Sequence, residues 1–114
     1  MATIQSTIGY TGYSKSSTYT WAGMTNGDVG APVAMSAFAD RSVQVFGTFS
    51  GGSVDIEGSN DGVNWAVLTD LQGNNLTLAT AKIEMVTEIT QFIRPKCTGA
   101  GTNITVVLLV KGES

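Results

Sequence analysis

Hydrophobic and polar residues alternate along most of this chain, in short runs that Gly, Asn, Asp and Ser interrupt. The clearest run begins at Val54, where Val54 and Ile56 are each followed by an acidic residue. A period of two is typical of a strand with one buried face. Residues 59–62 are Ser, Asn, Asp and Gly, which suit a tight turn, so the pattern predicts a β-hairpin that continues through Trp65.

Comparable runs recur about every ten residues and predict seven or eight short strands. The expected strands span residues 18–25, 32–38, 42–49, 54–57, 64–69, 82–87, 91–98 and 103–110. The second is a weak edge strand, and Pro95 predicts an edge or a bulge in the seventh because proline cannot donate to a ladder. No run has a helical period, so the predicted fold is all-β, an antiparallel β-sandwich or jelly roll.

The last expected strand is apolar on both of its faces. Its core face carries Ile104, Val106, Leu108 and Val110. Val107 and Leu109 lie on the opposite face, where a strand of a small antiparallel domain usually meets water. The pattern predicts a central strand whose outer face is covered by the N-terminal segment or by a second subunit.

Residues 1–17 are rich in Gly, Ser and Thr and predict an extended N-terminal arm, with residues 18–114 forming the β-sandwich domain. Aromatic side chains such as Tyr10 and Tyr13 are poor choices for a solvated tail, so we expect this arm to order against its own domain or against a neighbouring subunit. Phe46 adds an apolar side chain to a mostly polar strand face, and such groups tend to mark association sites. The candidate contact residues are Ile4, Ile8, Tyr10, Tyr13, Phe46, Val107 and Leu109.

Composition narrows the classes of partner. The 114 residues fit one domain with one core. Charged residues make up only 13% of the chain, which leaves little repulsion to oppose association with another protein. The net charge is −3 and the six basic residues are scattered, so no nucleic-acid binding is expected. No apolar run approaches the roughly 18 residues of a membrane span, and the first residues lack a signal-peptide pattern, so we expect cytoplasmic synthesis and no membrane partner.

The residue types that usually carry catalysis are sparse. The chain has no histidine, which removes the commonest general base and the commonest transition-metal ligand. Asp55 and Glu57 share a strand face, and we interpret them as its solvated side rather than as a catalytic pair. Loops at residues 26–28 and 60–62 offer oxygens to calcium, but turn geometry accounts for both. We therefore predict no catalytic residue, metal or cofactor, and a protein that is not an enzyme.

Two further side chains have a structural interpretation. Cys97 is the only cysteine, which excludes an intramolecular disulfide, and we expect it to be a small buried residue. Trp65 shares a strand face with Val67, and we expect it to pack in the core rather than to stack on a ligand.

Four segments together resemble small virion proteins from the head-gene clusters of tailed bacteriophages, in particular the capsid decoration (cement) proteins of short-tailed phages. The segments are residues 43–49 (VQVFGTF), 54–65 (VDIEGSNDGVNW), 68–73 (LTDLQG) and 91–95 (QFIRP). The resemblance implies a jelly-roll-like sandwich on the outer surface of the virion capsid. It also implies a homo-oligomer, either a dimer or a trimer, that bridges neighbouring subunits of the major capsid protein and has no catalytic residues.

A second resemblance gives an alternative function. Residues 57–65 (EGSNDGVNW) are similar to a strand-turn-strand element of discoidin-like galactose-binding domains, which implies a carbohydrate-binding β-sandwich module. The same run differs from the Asp-box hairpin of sialidases, because Gly62 and Trp65 each lie one position too close to Ser59. A third alternative is a minor tail or head-completion subunit, which would be present in few copies per particle.

Overall fold

The alternating runs form two β-sheets that face each other across an apolar core. A computed structural model describes residues 2–10, 16–34 and 40–111, and within these residues the protein is all β. The strands are β1 (Thr3–Ile4), β2 (Thr7–Tyr10), β3 (Ser16–Met24), β4 (Val29–Gly30), β5 (Val33–Ala34), β6 (Asp40–Thr48), β7 (Ser53–Ser59), β8 (Ala66–Val67), β9 (Thr77–Leu78), β10 (Lys82–Met85), β11 (Phe92–Thr98) and β12 (Asn103–Lys111). The prediction of an all-β sandwich is confirmed.

Each sheet has a simple order. The five-stranded sheet runs β10-β6-β12-β3-β2, and every pair in it is antiparallel. The seven-stranded sheet follows the path β1-β4-β11-β7-β8, with β5 also on β11 and β9 also on β7. Its pair β1 and β4 is parallel. The longest strands, β3, β6 and β12, therefore lie side by side in the smaller sheet.

The core lies between the sheets and depends most on β12. Its inward side chains Ile104, Val106, Leu108 and Val110 are all 0% exposed. Burial of large aliphatic side chains is worth about 1.5–3 kcal/mol each, so this single strand supplies a large share of the hydrophobic stabilisation. The predicted central position of the last strand is confirmed, because β6 and β3 flank it.

A β-bulge sets the contribution of β3 to the core. The register of β3 against β12 shifts between Ile104 and Val106, which lie opposite Met24 and Trp21. Gly23 lies in the bulge with φ at 66°. The extra residue turns both Trp21 and Met24 inward, although their spacing of three would place them on opposite faces of a regular strand.

Pro95 lies inside β11 at an interruption of the ladder, not on an edge strand. On one side β11 pairs continuously with β7. On the other side its neighbour changes from β5 to β4 along the strand. The N–H of Cys97 donates to the Asp28 carbonyl on this second side. Because alternate residues direct their nitrogens the same way, the nitrogen of Pro95 points to the junction, where no ladder bond is lost.

The described residues of the expected arm are extended and pair within the chain's own domain. Strand β2 adds an edge to the five-stranded sheet through β3, and β1 adds an edge to the other sheet through β4. The N–H of Val29 donates to the Ala2 carbonyl at 2.8 Å. Of the two alternatives expected for the arm, order against its own domain or against a neighbouring subunit, residues 2–10 adopt the first. They extend sheet edges and do not cover the outer face of β12, where Leu109 is 40% exposed.

Two glycines of the β6–β7 hairpin test how closely β6 approaches β12. Gly47 has φ at 127°, and a Cβ there would lie 2.3 Å from the backbone oxygen of Asn103 on β12. Gly51 has φ at 80° in the turn, and a Cβ there would have no other atom within 4 Å. We expect Gly47→Ala to lower the free energy of unfolding by about 2–4 kcal/mol, since the two strands must separate, and Gly51→Ala by only about 1 kcal/mol. Urea unfolding of both variants checks this; equal losses would contradict the observed approach of β6 to β12.

Asp28 holds the N-terminal strand in place. Its Oδ1 accepts the Ala2 N–H at 3.1 Å, and its Oδ2 accepts the N–H and the hydroxyl of Thr25 at 2.9 and 3.0 Å. The backbone N–H of Thr25 lowers the pKa of this carboxyl, and burial opposes the shift without cancelling it.

We expect Asp28→Asn to lower the stability by about 1–2 kcal/mol at neutral pH, because charge-assisted hydrogen bonds are lost. A folded-state pKa below the ordinary value of 3.8 means that this stabilisation is complete above that pH and disappears as the pH falls through the folded-state value. The difference between the parent and the variant, measured by urea unfolding, should therefore shrink in strong acid. A pH-independent difference would show that the charge of Asp28 does not contribute.

Candidate functional site

The outer face of the five-stranded sheet carries a group of apolar side chains from three neighbouring strands. Val107 on β12 lies opposite Gln44 on β6, and Gln44 lies opposite Ile83 on β10. The next row towards the β12 C-terminus joins Leu109, Ser42 and Met85 in the same way. Directly opposed residues share a face of a sheet. With Phe46 opposite Thr105, the outer apolar face consists of Phe46, Ile83, Met85, Val107 and Leu109.

These side chains are substantially open to solvent. Ile83 is 62% exposed, Phe46 42%, and Met85 and Leu109 40% each, while Val107 is half-buried among them. Single exposed apolar residues are ordinary on proteins, but a contiguous group on one sheet face is typical of an interaction site. The outer apolar face is therefore the candidate site.

The surroundings of the outer apolar face are polar. Thr18 and Thr20 on β3 lie opposite Leu109 and Val107 on the side away from β6. An open depression of about 330 Å³ lies at one end of the face, and the residues lining it are Asp40, Arg41, Ser42, Ile83, Met85, Leu109 and Lys111. An apolar centre with a polar rim is the usual anatomy of a protein–protein contact.

Arg41 fixes the rim of that depression. It is 2% exposed, and its guanidinium donates to the backbone oxygens of Glu88 and Thr90 and to the Thr90 hydroxyl. Burial lowers the pKa of this side chain. Glu88 is held in turn by Thr69, whose N–H donates to Oε1 at 2.7 Å and whose hydroxyl donates to Oε2. The segment that follows β10 is therefore anchored to β6 through Arg41 and to the chain just beyond β8 through Thr69.

The structure brings together three of the predicted contact residues, namely Phe46, Val107 and Leu109. Ile4 is partly buried in β1 and packs against the core. Ile8 is 50% exposed on β2, but it lies opposite Tyr19 and so belongs to the inner side of an edge strand. Tyr10 ends β2 with its side chain outside the described part, and Tyr13 lies outside the described residues.

Sequence reasoning missed Ile83 and Met85 as members of the site. Their alternation with Lys82 and Glu84 was visible, and the ordinary rule would place the apolar pair inward. The register reverses this: Lys82 and Glu84 lie opposite the buried Val45 and Val43. The signal that could have identified the reversal is Val86, which shares a face with Lys82 and Glu84 and is buried.

The outer face of the seven-stranded sheet is ionic, and it contains Trp65. The Arg94 guanidinium lies 4.0 Å from the centre of the Trp65 ring, and its Nε donates to Glu57 Oε1 at 2.9 Å. The expectation that Trp65 packs in the core is wrong. Leu68 points inward from this segment and is 4% exposed, so alternation directs Trp65 and Val67 outward.

The turn at residues 59–65 is held by its own acidic side chain. Asp61 Oδ1 accepts the N–H groups of Val63 and Asn64 at 2.8 Å each, and Oδ2 accepts the Asn64 amide at 2.7 Å. The Ser59 hydroxyl donates to Oδ1 as well. These bonds, led by that of the Asn64 N–H, lower the pKa of Asp61. Both carboxylate oxygens are thus used by the turn.

The described residues show no metal-binding cluster and no membrane-spanning helix, and they bury the one cysteine. No group of three or more cysteine and acidic side chains is placed to hold a metal in residues 2–10, 16–34 and 40–111. The same residues contain no helix able to span a bilayer. Cys97 is 0% exposed and its thiol contacts the Thr102 hydroxyl at 3.4 Å, so its burial is as predicted.

Comparison with known proteins gives a fold but not a family. No protein-family model matches the chain. No curated protein sequence matches it either. Among solved structures, the SPBc2 prophage-derived protein YomS aligns with a TM-score of 0.66 at 10% identity, over 89% of this chain and 98% of that one. The chain therefore shares the β-sandwich fold of YomS.

Two further solved structures align at lower TM-scores. Protein NMB1881 from Neisseria meningitidis has a TM-score of 0.43 at 10% identity, over 95% of this chain and 84% of that one. A cupin domain from Bordetella pertussis has a TM-score of 0.45 at 9% identity, over 96% of this chain and 92% of that one.

Neighbouring residues of β12 test whether the outer apolar face contributes to folding. We expect Leu108→Ala to cost about 2–5 kcal/mol because it leaves a cavity in the core. Leu109→Ser should change the free energy of unfolding by less than about 1 kcal/mol, because that side chain is 40% exposed. Thermal or urea unfolding distinguishes the two; a large loss for Leu109→Ser would mean that the outer apolar face stabilises the domain itself.

Proposed function

We propose that this chain is a structural virion protein that decorates a bacteriophage capsid and stabilises it by bridging subunits of the major capsid protein. In this proposal it acts as a homo-oligomer on the outer capsid surface and is not an enzyme. The observation that carries the proposal is the outer apolar face, a group of exposed hydrophobic side chains on three adjacent strands of one sheet. A small, weakly charged domain gains from such a face only when another protein covers it.

Two further observations support this choice. The sandwich fold is shared with a protein derived from a prophage. The segments that resemble decoration proteins include residues 43–49, which contain Phe46 of the outer apolar face. The support is thus drawn from fold, sequence pattern and surface chemistry separately.

The physical logic of decoration is additive. A capsid repeats the same contact many times on a closed shell, so each copy needs only a modest interface. Five apolar side chains framed by Thr, Ser and Gln form a patch of that modest size. Three of its residues lie on the long, fully paired strands β6 and β12, and little conformational entropy is lost when a rigid surface binds.

The carbohydrate-binding alternative receives less support from the geometry. It needs an aromatic ring that is free to stack on a sugar. The ring of Trp65 has the guanidinium of Arg94 over it, and Arg94 is held by Glu57. A sugar would have to displace this pair or use the opposite side of a half-buried ring.

Removing apolar groups from the outer apolar face should weaken capsid attachment without unfolding the protein. We expect the double variant Phe46→Ser, Leu109→Ser to bind capsids at least about tenfold more weakly, because two desolvated contacts are lost. The matched control is Leu71→Ser, which removes a side chain that is 65% exposed elsewhere on the surface. Co-sedimentation with shells assembled from the major capsid protein measures occupancy for each.

Unchanged occupancy of the double variant would overturn the role of this face, and failure of the parent protein to bind shells would overturn decoration. Glycan binding that shifts tryptophan fluorescence would favour the sugar-binding alternative. A copy number of only a few per purified virion would favour a head-completion or tail subunit.

A further inference from the structure

Strand β10 is the edge of the five-stranded sheet, and its backbone is oriented to accept another strand. Within the described residues, β6 is its one strand neighbour. The N–H of Val86, just beyond β10, donates to the Arg41 carbonyl on β6 at 3.1 Å. In an antiparallel ladder, alternate residues direct both of their backbone groups to the same side. The backbone N–H and C=O groups of Lys82 and Glu84 therefore point to β6, while those of Ile83 and Met85 point away from it.

We propose that two copies of this chain pair antiparallel through β10, with Ile83 of one copy directly opposite Ile83 of the second copy. A two-fold axis perpendicular to the sheet relates the copies and joins the two five-stranded sheets into one. The N–H and C=O groups of the two Ile83 residues then bond to each other across the axis.

The charges on β10 select this register. Pairing Ile83 with Ile83 places Lys82 of each copy opposite Glu84 of the other, so two opposite-charge pairs form. Sliding one strand by two residues in either direction places Glu84 opposite Glu84 or Lys82 opposite Lys82, and like charges directly opposed are destabilising. Sliding it by one residue fails because the free N–H and C=O groups of the two strands no longer meet. The strand is thus self-complementary in one register.

The exposure of the side chains agrees with this pairing. Ile83 is a large apolar residue that is 62% exposed in the single chain. In the dimer, Ile83 of the second copy would cover part of it. Lys82 Nζ and Glu84 Oε2 are 3.5 Å apart within the chain, with side-chain exposures of 44% and 25%. Both side chains are therefore partly open to solvent on this edge strand. The other four-residue edge strand, β2, has no charged residue to select a register.

The pairing has a consequence for attachment that rests on the proposed function. An axis perpendicular to the sheet keeps outer faces on the same side, so both outer apolar faces of the dimer form one platform. Two linked faces engage a repeating shell with avidity that neither has alone. The self-association itself is independent of whether the partner is a capsid.

Charge reversal tests the proposal with a readout that is specific to the register. Either single variant, Lys82→Glu or Glu84→Lys, creates two pairs of opposed like charges in the dimer. Each variant should weaken self-association at least about tenfold. The double variant K82E/E84K should restore it. Mixing the K82E protein with the E84K protein should also restore it, as a heterodimer, since each single variant then meets its complement. Sedimentation velocity over a concentration series measures each case.

Lys96→Glu is the matched control, because it makes the same charge change on the other sheet and should leave self-association unchanged. Ile83→Pro removes the N–H that points to the free edge and should abolish the dimer while the circular dichroism spectrum stays that of the parent. A parent protein that stays monomeric, or a dimer unaffected by K82E and I83P, would overturn the proposal. A dimer lost in Leu109→Ser but kept in K82E would instead assign self-association to the outer apolar face. Shell binding by a monomeric K82E protein would leave the proposed function standing.

Discussion

The ladder between β12 and β6 is the constraint on which the other features of the molecule depend. It spans nine registered pairs, from Asn103 with Thr48 to Lys111 with Asp40. Because side chains alternate, this register turns one row of β12 into the core and Val107 and Leu109 outward. A slip of one residue would exchange the two rows, so the core and the candidate site are set by the same hydrogen bonds.

The same constraint extends to the edge of the sheet. Strand β10 takes its register from β6, and this directs the side chains of Ile83 and Met85 to the outer face. It also directs their backbone groups to the free edge. A single register therefore sets two surfaces that suit contact with other chains, the free edge of β10 and the outer apolar face. Sliding a strand would change both.

Alternation in the sequence was enough to predict the class of fold, because strands buried on one face have a period of two. It located the core residues of β6, β7 and β12 for that reason. It was not enough where a short strand has two plausible inward faces. Trp65 and Ile83 both point outward because a neighbour, Leu68 or Val86, takes the inward position. Which neighbour prevails depends on pairing with a distant strand, and local composition does not contain that information.

The N-terminal segment also shows that local composition does not determine pairing with distant strands. Residues 1–17 have the composition of a flexible arm, yet the described part of this segment pairs with β3 and β4 through backbone bonds that require no particular side chain. Asp28 adds specificity, because its carboxylate accepts the Ala2 N–H from a distance of 26 residues in sequence. Backbone pairing covers β3 and β4, so that the short strands β2 and β1 become the edges of the two sheets there. Of the two edges of the five-stranded sheet, only β10 carries charges that select a register, so β10 and the outer apolar face beside it are where this sheet can most readily meet other chains.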